Sequence, residues 1–287
     1  MSRSFLFVPA DNERKLQKAG SVGADALILD LEDSVAADAR PDARVLAREY
    51  LAGKENVWIR INPVDTDDAQ ADLEGVMPSA PAGIVLPKPR SAAAAIDLDE
   101  RLSILESQHG IEPGSTRILP LCTEHPEALF TLNSYIGATG RLMGLSWGAE
   151  DLSAAVGAAA NRDMDGEWLP TYEMARSLCL LAAAAAQVAA IDTVFTDFKD
   201  IEGLRRYASK ARRDGFSGML AIHPSQVAPI NAAFLPTADE LQHAARIVEL
   251  FEANPDIGTI GMDGKMIDRP HLVMARRLLE AARNKKT

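Results

Sequence analysis

Eight short apolar segments recur along the chain, separated by longer stretches rich in alanine, leucine and charged residues. Each segment is nearly continuous in apolar residues rather than alternating, which is typical of parallel strands covered on both faces. The segments are residues 4–9, 26–33, 57–63, 83–89, 117–124, 142–147, 191–198 and 218–224. Nearly all the intervening stretches are long enough for a crossover helix, so the sequence predicts eight strand–helix units in series.

Eight such units over about 230 residues predict an α/β fold, a (β/α)8 TIM barrel. The alternative is a doubly wound open sheet, which usually has fewer strands and a phosphate-binding glycine loop after the first strand. Neither G-x-G-x-x-G nor G-x-x-x-x-G-K-[ST] occurs in that position. The barrel is therefore favoured.

The chain continues beyond the eighth segment, and we expect this part to form a C-terminal helical extension. It has a helical pattern over residues 238–253, a glycine-rich stretch over 258–264 and an amphipathic pattern over 270–283. We therefore predict a barrel at residues 1–235 and a helical arm at residues 236–287. The arm is expected to contact a neighbouring subunit.

The charge balance restricts the partners that this protein can bind. Asp and Glu total 41 against 30 Lys and Arg, which gives a formal net charge of -11. Such an acidic chain is poorly suited to bind a nucleic-acid backbone or an anionic membrane surface. A small anionic substrate is still compatible with it, because a pocket can be locally positive.

Cysteine content and hydropathy point to a cytoplasmic enzyme. The two cysteines, Cys122 and Cys179, are too few for a disulfide framework or a thiolate metal site. No apolar run approaches the roughly 18 residues of a membrane span. The first residues are too quickly interrupted for a signal peptide.

Polar residues follow most of the predicted strands at their carboxyl ends, where barrel enzymes place their catalytic groups. They are Asp30, Glu32, Asp33, Arg60, Asn62, Lys88, Glu124, Glu150, Asp151, Asp197, Lys199, His223 and Gln226. Carboxylates predominate, and Mg²⁺ is held by a few carboxylate oxygens together with water and substrate oxygens. Histidine and cysteine ligands for zinc are scarce. The rim therefore predicts a Mg²⁺ site.

Motifs at these strand ends resemble those of the citrate lyase β-subunit-like and malyl-CoA lyase family of Mg²⁺-dependent carbon–carbon lyases. The resemblance runs nearly the full length of the chain in the family's order. The segments are Arg3-Ser-Phe-Leu-Phe-Val-Pro9, Leu29-Asp-Leu-Glu-Asp33, Ile59-Arg-Ile-Asn62, Leu86-Pro-Lys88, Thr123-Glu124, Gly148-Ala-Glu-Asp-Leu152, Ala221-Ile-His-Pro-Ser-Gln226 and Met266-Ile-Asp268. The resemblance implies a (β/α)8 barrel, a Mg²⁺ ion, CoA-thioester substrates and a homotrimer or a multiple of one.

The resemblance further implies that Glu124 and Asp151 are the two protein ligands of Mg²⁺. The alternatives are a surface ion pair for Glu124 and a helix N-cap for Asp151. This chain departs from the family in having Thr123 before Glu124 and His125 after it. The departure bears on the shape of the substrate near His125 rather than on the metal.

Arg60 resembles the family arginine that binds substrate carbonyl and carboxylate oxygens, to which a guanidinium offers two parallel donors. The alternative is a structural ion pair with the preceding strand. The two roles are compatible, because Asp30 or Glu32 can orient Arg60 while it faces the substrate. We also expect Asp30 and Glu32 to support the metal site from behind its ligands or through bound water. Asp30 is included among the catalytic candidates, and we expect Asp33 to cap the helix that follows.

Three further residues are candidates for binding the substrate or CoA. Lys88 offsets substrate charge or forms an ion pair with a rim carboxylate. Arg3 is a candidate contact for a CoA phosphate. His223 is either a general acid or a structural histidine near the CoA-binding mouth.

Asp268, in the C-terminal extension, matches a family aspartate that serves as an acid/base group in the active site of a neighbouring subunit. The alternative for Asp268 is a helix N-cap ahead of Pro270.

Together these assignments predict a carbon–carbon lyase that cleaves a β-hydroxyacyl-CoA thioester into acetyl-CoA, or a homologue, and a 2-oxo acid. Three alternatives remain open at this point. They are a CoA-independent class II aldolase of hydroxy-oxo acids, a malyl-CoA thioesterase-type outcome and a non-catalytic subunit of a larger lyase complex.

Overall fold

The structure, a computed structural model, describes residues 2–283. Eight parallel strands form one sheet in the order β5-β4-β3-β2-β1-β8-β7-β6. The strands are β1 Ser4–Pro9, β2 Ala26–Asp30, β3 Val57–Arg60, β4 Gly83–Leu86, β5 Arg117–Pro120, β6 Gly144–Ser146, β7 Ala189–Asp192 and β8 Gly218–Ala221. Parallel bridges from Ile118 to Leu142 and from Leu121 to Ser146 join the two edges of the sheet. The predicted TIM barrel is confirmed.

Helices lie between the strands of the barrel and after its last strand. They are α1 Glu13–Ala19, α2 Arg40–Leu51, α3 Asp67–Val76, α4 Ala93–His109, α5 Ala149–Val156, α6 Pro170–Ala185, α7 Ile201–Asp214 and α8 Val227–Ala233. Between β5 and β6, the 3-10 turns Pro126–Phe130 and Leu132–Tyr135 take the place of an α-helix. Among residues 2–283, no helix is both long and apolar enough to cross a membrane.

The strands begin largely where the sequence predicted, but most of them end earlier. β1 to β5 and β8 start at the predicted residues, whereas β7 starts and ends upstream of its predicted range. β7 ends at Asp192, and Asp197 and Lys199 lie in an exposed loop after it. The polar residues after each strand thus belong to loops that cross the rim.

The interior of the barrel is filled by apolar side chains from strands all round the sheet. Phe5 and Trp58 pack edge to face with 6.0 Å between ring centroids. A Cβ at Gly83 would lie 2.3 Å from the ring of Trp58. Glycine is therefore required at the start of β4, because Trp58 occupies the space that a side chain would need.

The chain divides into two compact units between Asn231 and Ala232. The second unit contains α9 Ala238–Ala253, β9 Thr259–Met262, β10 Lys265–Asp268 and α10 Arg269–Arg283. It has its own apolar core, which includes Ile247, Phe251, Ile267 and Leu272. The predicted helical extension is present.

A hairpin in the second unit was missed in the sequence. The glycine-rich stretch pairs β9 with β10 through a turn at Asp263 and Gly264, whose φ angles are 50° and 76°. An Asp-Gly pair between short apolar runs is a known hairpin signal, and it was the clue available.

A buried ion pair ties α4 to the segments that precede β5 and β6. Arg141 donates to the two oxygens of Glu106 at 2.7 and 2.8 Å. Glu106 also accepts the backbone N–H groups of Gly114 and Thr116. Burial by itself raises the pKa of Glu106, but Arg141 and these N–H groups outweigh it and lower the pKa to about 2.

We predict that Glu106→Gln lowers the free energy of unfolding by about 2 kcal/mol at pH 7, because charge-assisted hydrogen bonds to Arg141 are lost. The pKa of Glu106 is depressed in the folded state. Its contribution is therefore complete above the usual value of 4.5 and is lost as the pH falls towards 2. Urea unfolding at pH 7 and at pH 3 measures this. Glu100→Gln, on the exposed side of α4, is the matched control, and equal losses in both variants would contradict the prediction.

Candidate active site

A cavity of about 320 Å³ opens at the carboxyl ends of the barrel strands. The charged residues that line it are Asp30, Asp33, Arg60, Glu124, Glu150 and Asp151. Because parallel strands present their carboxyl ends at the same face of a barrel, residues far apart in sequence meet there. Four of the candidate residues, namely Asp30, Arg60, Glu124 and Asp151, line this cavity, and a fifth, Lys88, contacts Glu124 and Asp151.

Arg60, the last residue of β3, is held by Asp30, the last residue of β2. Its Nε and Nη2 donate to the two oxygens of Asp30 at 2.7 and 2.6 Å. Asp30 also accepts the N–H groups of Glu32 and Ser34. Burial by itself raises the pKa of Asp30, but the pair with Arg60 and the other donors bring it below its usual value. Asp30 therefore orients a guanidinium that faces the cavity.

Lys88 contacts several rim carboxylates through both its backbone and its side chain. Its N–H donates to Glu124 Oε2 at 2.6 Å. Its ammonium lies 2.6 Å from Glu32 Oε1, 3.1 Å from Asp33 and 3.4 Å from Asp151 Oδ1. The φ of Lys88 is 52°, an uncommon value for a residue with a side chain and one that is often found at functional sites. The rim ion pair, one of the two roles expected for Lys88, is present.

Glu124 follows β5 and is buried, with 3% of its surface exposed. This excludes the surface ion pair that was its alternative role. Burial raises its pKa well above the usual range, and the nearby charge of Asp151 raises it further. The N–H of Lys88 opposes the shift but does not cancel it. Glu124 is therefore a carboxylate whose ionised form requires a cation.

Asp151 is brought to Glu124 by the sharp turn that joins β6 to α5. Gly148 is the N-cap of α5, and Asp151 lies in its first turn, so the N-cap role considered for Asp151 is excluded. A Cβ at Gly148 would lie 2.6 Å from Cγ of Glu124. The backbone that carries Asp151 is thus in direct contact with Glu124.

The donor set fits a hard divalent cation. Glu124 and Asp151 both line the cavity and lie close enough to interact electrostatically. Their carboxylates offer only oxygen atoms as ligands. Oε2 of Glu32 is buried beside them and makes no hydrogen bond, although Arg60 Nη1 is 3.1 Å away. Within residues 2–283, no group of three or more His, Cys, Asp or Glu is placed to hold a metal. A cation on two carboxylates takes its remaining ligands from water and substrate, as Mg²⁺ commonly does.

Arg3 is not brought to this cavity. It precedes β1, so it lies at the amino ends of the strands, opposite the rim. Its Nε and Nη2 donate to the carboxylate of Asp25, each at 2.7 Å. Its position is explained by this ion pair between the segments before β1 and β2, and the CoA-phosphate contact proposed from the sequence has no support at this end of the barrel.

His223 follows β8 and lies beside a second cavity, of about 330 Å³, that also includes Lys15 and Lys18. Its ring stacks on Phe198 with 4.8 Å between centroids, and its Nδ1 is 2.7 Å from Ser225 Oγ. The histidine is therefore held by local contacts, as in the structural role considered for it.

Two further residues can be compared with their expected capping roles. The prediction that Asp33 caps a helix is wrong, because the next 3-10 turn begins at Ala37 and the carboxylate of Asp33 meets Lys88 instead. Asp268 lies just before α10, where it contacts Nδ1 of His271 and accepts the N–H of His271. The capping role of Asp268 is thus present, and its acid/base role stays a prediction.

Asp192 is one of the buried carboxylates that the sequence analysis did not single out. It ends β7 and accepts hydrogen bonds from Trp147, Arg176 and Tyr207. The predicted strand extended to residue 198, so its carboxyl end was expected at Asp197 instead of Asp192. An Asp directly after the apolar residues 188–191 was the only signal, and it does not distinguish a strand end from a strand interior.

Comparisons with known proteins identify the family. The model of the HpcH/HpaI aldolase/citrate lyase family matches residues 3–224. This chain belongs to that family. Membership confirms the family and the enzyme class predicted from the sequence, a carbon–carbon lyase.

Individual relatives match over nearly the whole chain. The citrate lyase subunit beta-like protein of Mycobacterium tuberculosis is 34% identical over 280 residues, which cover 97% of this chain and 94% of that protein. The (3S)-malyl-CoA thioesterase of Cereibacter sphaeroides is 35% identical over 287 residues, covering 98% and 94%. The crystal structure of CitE from M. tuberculosis in complex with magnesium, acetoacetate and coenzyme A has a TM-score of 0.84 and 32% identity, over 98% of each chain.

We predict that, in EDTA at pH 8, Glu124→Gln unfolds about 3 °C above the wild type. A buried carboxylate with a raised pKa destabilises the fold once it ionises. The wild type therefore loses stability as the pH rises from the usual glutamate value of 4.5 through the raised one. Glutamine keeps an acceptor for the N–H of Lys88 without the charge.

Scanning calorimetry at pH 5 and at pH 8 tests this, and the difference between the proteins should shrink at pH 5. Glu150→Gln, at an exposed position on the same cavity, is the matched control and should unfold with the wild type. A lower unfolding temperature of Glu124→Gln at pH 8 would contradict the prediction.

Proposed function

We propose that this protein is a Mg²⁺-dependent lyase that cleaves a β-hydroxyacyl-CoA thioester into acetyl-CoA, or a homologue, and a 2-oxo acid. The observation that carries the proposal is the meeting of Glu124, Asp151 and Arg60 on one cavity. The magnesium, acetoacetate and coenzyme A in the complex of M. tuberculosis CitE support the metal and the substrate class.

Glu124 and Asp151 are the residues that hold the ion. Bound Mg²⁺ supplies a Lewis acid that polarises the substrate's oxygen atoms and lowers the pKa of its hydroxyl group. Burial raises the pKa of Glu124, and the positive charge of a bound ion would stabilise its ionised form. Lys88 fixes Glu124 through its backbone N–H and approaches Asp151 through its ammonium.

Arg60 binds the oxygen atoms on which negative charge develops as the carbon–carbon bond breaks. Asp30 engages Nε and Nη2 of the guanidinium, whereas Nη1 lies 3.1 Å from Glu32 Oε2 without a hydrogen bond to it, so the N–H groups of Nη1 are the donors for the substrate. Because Asp30 fixes the guanidinium plane in advance, little reorganisation is needed when charge appears, which is the basis of electrostatic catalysis.

Two proton transfers complete the reaction. A base takes the hydroxyl proton, the electrons of the broken bond form a thioester enolate, and an acid protonates its carbon. Asp268 of a neighbouring subunit is our candidate for this acid/base work. The contact with His271 lowers the pKa of Asp268 and favours its ionised, basic form. This role requires an assembly of several subunits. The homotrimer, or a multiple of one, stays a prediction, as does a location in the cytoplasm.

A thioesterase outcome is the second candidate, favoured by the 35% identity to a (3S)-malyl-CoA thioesterase. In that case the thioester is hydrolysed after or instead of cleavage. Cleavage followed by hydrolysis releases both the 2-oxo acid and free CoA, whereas cleavage alone releases the 2-oxo acid without free CoA.

Removal of the metal should abolish turnover. We expect EDTA to stop the release of 2-oxo acid from malyl-, citramalyl-, citryl- or hydroxymethylglutaryl-type CoA esters, and added Mg²⁺ to restore it. Glu124→Gln and Asp151→Asn should each lower kcat/KM by at least about 100-fold and weaken Mg²⁺ binding in calorimetry. Full activity in EDTA would exclude the metal mechanism.

Arg60→Lys and Asp268→Asn should separate catalysis from metal binding. Each is expected to lower kcat by about 100-fold or more while the Mg²⁺ dissociation constant stays unchanged. Lysine cannot reproduce the planar pair of donors that Asp30 holds. Arg14→Lys, at an exposed position on α1, is the control for the arginine. Undiminished turnover in Asp268→Asn would remove Asp268 from the mechanism.

A further inference from the structure

A buried hydrogen-bond network borders the cavity next to the proposed metal pair. Trp147 directly follows β6, lines the cavity and has 0% of its surface exposed. Its Nε1 donates to Oδ1 of Asp192 at 2.7 Å. Its ring packs edge to face against Trp168 with 5.0 Å between centroids. Trp147 is therefore held at both its polar and its apolar side.

Asp192 is itself held by donors from several elements. Arg176 of α6 donates to Oδ2 through Nε at 3.0 Å and Nη2 at 2.9 Å. The hydroxyl of Tyr207 on α7 donates to Oδ1 at 3.0 Å, and the N–H of Thr193 does so at 2.9 Å. A buried carboxylate satisfied in this way has little freedom to move. Asp192 thus offers the indole of Trp147 a rigid acceptor.

The backbone immediately after Trp147 sets the geometry of both carboxylates. Gly148 packs against Glu124 with no room for a Cβ, and its N–H donates to Oγ1 of Thr123 at 3.3 Å. Asp151 follows in the first turn of α5. A displacement of Trp147 is therefore transmitted to Glu124 by contact and to Asp151 through the chain.

We propose that Asp192 is a positioning residue of the active site. By holding the indole N–H of Trp147, it fixes residues 147–151 and thereby the separation of Glu124 and Asp151. The inference rests on the proposed function, since it uses the same metal pair. Partners outside the direct ligands commonly change metal affinity by about 10- to 100-fold when they are removed.

Two variants that each remove one donor to the same oxygen of Asp192 test the inference. Trp147→Phe removes the indole N–H next to the metal pair and keeps an aromatic ring. Tyr207→Phe removes the hydroxyl donor from α7, outside the lining of the cavity. Calorimetric titration of each full-length protein with Mg²⁺ alone, without substrate, gives the dissociation constants, and thermal unfolding gives the stabilities.

We expect Trp147→Phe to weaken Mg²⁺ binding about tenfold or more, and Tyr207→Phe to change it less than about twofold. Both variants should lower the unfolding temperature, since each removes a buried hydrogen bond. In activity assays, saturating Mg²⁺ should restore most of the kcat of Trp147→Phe, which a purely structural defect would not allow.

Equal Mg²⁺ affinities in the two variants, whether unchanged or weakened, would overturn the inference. If Trp147→Phe does not fold, Trp147→Met takes its place in the same comparison, because methionine fills the space of the indole without offering a donor to Asp192. The Mg²⁺ affinity of Glu124→Gln distinguishes failure of the proposed metal pair from failure of the positioning role. Wild-type affinity in Glu124→Gln contradicts the metal pair itself. Loss of affinity in Glu124→Gln, together with equal affinities of Trp147→Phe and Tyr207→Phe, contradicts the positioning role alone.

Discussion

Carboxylates buried at the rim of the barrel destabilise the protein unless cations or hydrogen-bond donors face them, and much of the site is organised around this cost. Arg60 neutralises Asp30, and Lys88 pairs with Glu32. Glu124 has a backbone N–H from Lys88, but its pKa stays raised. Burial also leaves the pKa of Glu32 raised despite Lys88 and Arg60. Positive charge is therefore still missing on the side of the rim where Glu32, Glu124 and Asp151 interact.

The barrel makes this arrangement possible because its strands are parallel. The carboxyl ends of all the strands lie at the same face of the barrel. The ends of β2 and β3 and the segments after β5 and β6 therefore contribute to one site. Close packing then sets the distances. Gly148 leaves room for Glu124, and the network around Asp192 holds Trp147 one residue earlier. The buried charges that shape the site also destabilise the folded protein, so stability and catalysis depend on the same residues.

Much of the fold and part of the site were predictable from residue patterns. The apolar segments predicted the strand starts, and the carboxylates after them pointed to a cation. Arg3 shows where such reasoning stops, because a residue next to a strand lies at the rim only if it follows that strand. Asp33 and Asp192 show a second limit. Whether an aspartate caps a helix, pairs with a lysine or ends a strand depends on neighbours that are distant in sequence.

By itself, the sequence determined the succession of eight strands and most of the helices between them, the family and the residue types that converge at the rim. These follow from local periodicity and from side-chain chemistry, both of which can be read along the chain. Only the tertiary structure decided that Asp30 holds Arg60, that Lys88 donates its N–H to Glu124 and that Asp192 anchors Trp147. Each of these contacts joins residues 30 to 45 positions apart, and their distances are set by how the strands close and pack rather than by any local pattern.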